Sequence, residues 1–151
     1  MDHLKISHLL LNIALVLLFL IGCSTPTAEP VPDTPTSPVL ITNAETLVGN
    51  WQPLSKSIDA MFLQFNSDGS CRNAYLFDGL IDVPEVECTY SYEGTNLLIT
   101  AVKLNGVPDC PNPTAKYEVH LLEENLIKFD SIKDSCIPRV RSTQGEYQHI
   151  P

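Results

Sequence analysis

Cysteine offers this chain its widest choice of chemistry: Cys23, Cys71, Cys88, Cys110 and Cys136 can each be acylated, oxidised in pairs or bound to a metal. Spacing argues against zinc, because structural zinc sites draw on close pairs such as C-x-x-C and these cysteines are far apart. Asn66-Ser67-Asp68-Gly69 matches half of a calcium loop. Gln64 stands where that loop needs an acid and Tyr75 where it needs its closing glutamate, so the stretch reads as a hairpin turn. His120 and His149 have no second ligand at metal spacing and read as surface or rim residues. No G-x-S-x-G elbow or other activated nucleophile occurs. The expectation is a protein without metal or cofactor, and not an enzyme.

Cys23 stands where the chain changes character. Lys5 and the amino terminus precede an apolar run, Leu9 to Ile21, broken only by Asn12. A membrane span needs about 20 apolar residues, so the run is short for one and fits the core of a secretory signal peptide. After Cys23 come Pro26, Pro30, Pro32, Pro35 and Pro38 among Ser, Thr and Ala, a composition that buries little and stiffens toward polyproline II. The expected organisation is a signal peptide at 1–22, a linker at 23–46 and one folded domain at 47–151.

Leu20-Ile21-Gly22-Cys23 resembles the lipobox of bacterial lipoproteins. The resemblance implies diacylglycerol transfer to the Cys23 sulfur, cleavage after Gly22 and further acylation (palmitate or a similar chain) of the new amino terminus. Two or three acyl chains, at about 0.8 kcal/mol per buried methylene, hold a protein on a membrane. The domain is then extracytoplasmic and the lipid on Cys23 ties it to the membrane. Ser24 leaves the choice of membrane and leaflet open. An ordinary secretory peptide or a short uncleaved anchor is the rival reading.

The folded part reads as short segments separated by turn residues, an all-β pattern. Strands are predicted at 47–53, 60–65, 70–77, 86–92, 97–103, 115–122, 126–130 and 145–150, and no window carries a sustained helical repeat. Eight antiparallel neighbours in series close most simply into an up-and-down barrel, with a β-sandwich as the alternative. The formal charge of −9, from 9 Lys+Arg against 18 Asp+Glu, argues against a nucleic-acid partner.

Export places the remaining four cysteines where thiols pair. Cys71 and Cys88 fall on neighbouring predicted strands, and Cys110 and Cys136 on long Pro-bearing loops that flank the last hairpin. The expected bridges are Cys71–Cys88 and Cys110–Cys136.

The stretches LVGNWQ, FNSDGSC, YSYEGTNLLIT and YEVHLLEENLIKFDSI make the domain similar to small lipocalin-like, or calycin-like, barrels. That resemblance implies that Gly49 and Trp51 form a structural plug at the closed end, with Arg139 or Arg141 covering the indole. Tyr75, Phe77, Tyr90, Tyr92 and Tyr117 are then an aromatic set for the core, its mouth or a pocket for a small apolar ligand. The functional expectation is a binding module. The alternatives are a protein–protein or inhibitor device presenting the 105–113 loop, and an enzyme built in the barrel lumen.

Overall fold

Alternation decides which face of each strand goes inward. In the segment Thr114–Glu123, Ala115, Tyr117 and Val119 are buried while Lys116, Glu118 and His120 point to the other face. The same two-residue period buries Leu63 and Phe65 in Phe62–Phe65 and Ile127 and Phe129 in Leu126–Ser131. A computed structural model describes residues 37–151. The predicted signal peptide, Cys23 and the first part of the predicted linker lie outside the described residues.

Among the described residues nine strands are formed: β1 (Val39–Leu40), β2 (Gly49–Pro53), β3 (Phe62–Phe65), β4 (Ser70–Ala74), β5 (Val86–Glu93), β6 (Asn96–Leu104), β7 (Thr114–Glu123), β8 (Leu126–Ser131) and β9 (Gly145–Ile150). From β2 to β9 each pairs antiparallel with the next, and β9 pairs back to β2. The result is a closed eight-stranded up-and-down barrel, which settles the choice against a sandwich. All eight predicted strands are present.

β1 was not expected. It lies on β7, with Val39 opposite Leu121 and Leu40 opposite His120, and the Ile41 amide donates to the Val119 carbonyl at 2.8 Å. β6 reaches β7 only as far as Tyr117, so the second half of β7 has free backbone groups that this run satisfies. Ile41 is 5% exposed and belongs to the core. The folded part therefore reaches back to Val39, within the stretch 23–46 predicted as linker.

A second correction is a helix, α1 (Ile137–Thr143), in the connection read as a loop. Its seven residues are too few to show a period, and only Ser142 and Thr143 at its end are buried. β4 stops at Ala74 rather than 77, because the chain then turns into a 3-10 segment, Asp78–Leu80.

One end of the barrel carries tight hairpins. At 66–69 the Asp68 carboxylate accepts from the Ser70 amide at 2.8 Å and its hydroxyl at 2.6 Å, which holds its pKa below the usual value. Gly69 takes the positive φ of 83° that this turn requires. Beneath the hairpins, Trp51 Nε1 donates to the Leu47 carbonyl at 2.8 Å. The side chain set against the indole is His149, edge-on at 5.0 Å. Gly49 has φ of +135°, and a Cβ there would run into the His149 ring.

The predicted arginine cover over Trp51 is not formed. Arg139 sits on α1 at the opposite end of the barrel, bound to Asp134, and Arg141 is exposed. The middle of the core is aromatic: Phe129 stacks on Phe65 at 6.1 Å and meets Tyr117 and Tyr147 edge-on at 5.9 and 5.4 Å. Both expected disulfides are present. Cys71 and Cys88 are directly opposed on β4 and β5, with Cα atoms 4.8 Å apart. Cys110–Cys136 joins the β6–β7 loop to the start of α1, with Cα atoms 5.7 Å apart.

Candidate ligand-binding site

Up-and-down topology sends every second connection to the same end. Four long ones, at 54–61, 75–85, 105–113 and 132–144, gather at the end opposite the tight hairpins. Hydrogen bonds tie them together in series around the rim. The Met61 amide donates to the Ser142 carbonyl at 3.2 Å, linking the first connection to α1. Arg139 Nη1 donates to the Asn112 carbonyl at 2.7 Å, beside the Cys110–Cys136 bridge. The Asn105 amide donates to the Glu85 carbonyl at 2.8 Å and its Nδ2 to the Pro84 carbonyl at 2.6 Å.

Below this rim lies a cavity of about 70 Å³. Strand residues Val86, Ile99, Ala101 and Leu104 form apolar walls, with Met61, Val107, Pro108 and Pro138 from the connections above. The volume holds roughly five waters. It is well under the ~300 Å³ at which sites for drug-sized molecules begin, so this cavity is too small for a lipid chain.

The polar lining is specific. Asn73 points inward from β4, between Leu63 on β3 and Val86 on β5. Ser142 and Thr143 come from the end of α1, and Tyr117 from β7. Burial pushes the Tyr117 phenol up to about 12, with the neighbouring Thr143 hydroxyl pulling the other way. Arg139 grips Asp134 through two bonds, Nε to Oδ2 at 2.7 Å and Nη2 to Oδ1 at 2.9 Å. Those bonds hold the Asp134 carboxyl below its usual pKa. The acid stays ionised and the phenol stays neutral, so neither is poised to move a proton near neutral pH.

Of the predicted aromatic set, only Tyr75 and Tyr117 reach the cavity. Phe77 packs edge-on against Phe62, 5.9 Å away on the outer face. Tyr90 is buried nearer the hairpins, where its hydroxyl donates to the Asn66 carbonyl at 2.7 Å. Tyr92 packs against the main core, and burial raises its pKa. His120 lies outside the barrel near Glu118 and Asp130, at 3.8 and 3.9 Å. Among the described residues, no group of three His, Cys, Asp or Glu side chains converges on a metal position.

Asn73, Ser142 and Thr143 were missed by the sequence reading. Asn73 carried a usable signal, since it alternates with Cys71 on the inward face of a strand where an apolar residue belongs. Comparison with protein-family models, with curated proteins and with solved structures finds no match.

Proposed function

We propose that the protein is an extracytoplasmic lipoprotein, anchored through lipid on Cys23, whose barrel binds a small, largely apolar ligand at its loop end. The observation that carries this reading is the cavity itself, apolar in its walls and roofed by four connections that hydrogen bonds and a disulfide hold together. Such a preformed, concave and mostly apolar recess is the usual form of a ligand site. Two disulfides support an oxidising compartment, and with it the signal-peptide and lipobox reading of residues 1–23. The reading is of a binder: the cavity presents an amide, hydroxyls and a neutralised ion pair.

Titration of the full chain with a small aromatic molecule such as acetophenone, by calorimetry in detergent, tests the site. Saturable binding is expected, and Ala101→Phe, which fills the cavity, abolishes it. Absence of binding, or equal binding by the filled variant, overturns the assignment.

A protein-docking role is the second reading, favoured by a distinct observation. Leu54, Ile58, Leu76, Ile81, Val83 and Ile137 are all exposed at the loop end, Ile58 at 92% and Leu76 at 73%. Exposed apolar side chains gathered at one end of a domain suit a contact site.

A further inference from the structure

Among the described residues, the non-aromatic polar residues that are buried as a whole are Asn73, Ser142 and Thr143, and all three line the loop-end cavity. Polar groups taken out of water are retained where they have hydrogen-bond partners. Ser142 has one, its Oγ donating to the Arg139 carbonyl at 3.0 Å, and the Thr143 hydroxyl neighbours the Tyr117 phenol.

Asn73 is 7% exposed, and its Oδ1 lies 3.8 Å from the Cys88 sulfur. That sulfur belongs to a disulfide and has no proton to give. On either side in the sheet stand Leu63 and Val86, so leucine at position 73 would complete an apolar row. The side left open to the amide is the cavity.

The remaining groups define what can come in. Arg139 is neutralised by Asp134, Asp109 adds a negative charge to the rim, and Tyr117 keeps its proton. A carboxylate therefore finds no free cation, and an ammonium finds no buried anion. An amide presents one carbonyl acceptor and N–H donors, and it is best answered by a group with the same pair reversed.

We propose that Asn73 is the specificity-determining residue of this cavity, which takes a small uncharged molecule with an apolar body and an amide-like head. The proposal rests on the cavity being a ligand site and adds the class of ligand. The head lies against Asn73, with the hydroxyls of Tyr117 and Thr143 beside it, while the body fills the walls formed by Val86, Ile99 and Leu104.

Calorimetric titration of the full chain in detergent with benzamide, acetophenone and benzoate tests it, with dilution into empty micelles subtracted. Acetophenone has the shape of benzamide but no N–H donor, and benzoate adds a charge. Benzamide is expected to bind about tenfold tighter than either, the effect of one well-placed hydrogen bond. Asn73→Leu is expected to erase the preference of benzamide over acetophenone while acetophenone still binds. Equal affinity of benzamide and acetophenone for the wild type overturns the proposal and leaves the apolar site standing; that comparison decides the matter even where the leucine variant does not fold. Benzamide preference that survives in Asn73→Leu also overturns it. Failure of all three probes to bind overturns both the proposal and the binding reading, and leaves the Asn73 amide to water.

Discussion

Gly49 and His149 share one small volume: the ring of His149 occupies the place that a Cβ at Gly49 would take. The two lie on neighbouring strands, β2 and β9, and the same imidazole meets Trp51 edge-on. The Gly-x-Trp pattern is thus explained by a third residue near the end of the chain. Gly49→Ala is expected to destabilise by about 1–3 kcal/mol, from the positive φ and the displaced ring together. Combined with His149→Ala, the loss is smaller than the sum of the two single changes, because the steric part is already removed. Urea unfolding of the two singles and the double checks this.

Asp134 gives stability a defined acid limit. Its folded pKa lies below the ordinary 3.8 because Arg139 hydrogen-bonds the carboxylate, helped by the Cys136 amide at 2.8 Å. The contribution is therefore complete above that ordinary value and is lost as pH falls through the lower folded one. Asp134→Asn is expected to cost about 1.5–3 kcal/mol at neutral pH, the range for hydrogen bonds to a charged group. The difference between variant and wild type narrows on acidification below 3.8, and thermal unfolding across that range measures it.

The Cys110–Cys136 bridge holds the roof of the cavity, whereas Cys71–Cys88 staples two adjacent strands. Replacing Cys110 and Cys136 together with Ala is expected to remove about 2–4 kcal/mol. Faster amide exchange should appear in 105–113 and in α1, with β4 and β5 unchanged. Uniform acceleration over the whole barrel would show that this bridge supports the fold as one unit.

The lipid reading has its own test. Full-length protein made in a bacterium that processes lipoproteins is expected in the membrane fraction, with a mass showing the acyl groups and the loss of residues 1–22. Cys23→Ser should abolish the acylation. An intact initiator methionine on unmodified wild-type protein contradicts the assignment.

Sequence alternation was enough to locate eight strands, because each has one wet face and one dry face. Hairpin turns such as 66–69 and 94–95 fixed their order. Both disulfides followed from that order, since opposed positions on adjacent strands and loops at one end can meet. The cavity was far less legible. Tyr90, Tyr92 and Tyr117 share an alternating pattern, but barrel stagger places only Tyr117 under the loops. Arg139 was read as a cover for Trp51, and only the path of α1 shows that it serves Asp134 instead. Asn73 could have been picked out by its inward position. Thr143 could not, because seven residues of helix leave no repeat to read.

Val39 to Ile41 carry a consequence beyond completing the core. Without them, the second half of β7 would present a bare ladder of amides and carbonyls, the template by which one molecule's sheet extends the next. By occupying that stretch, three residues guard against templated polymerisation where ring closure alone leaves the domain open to it.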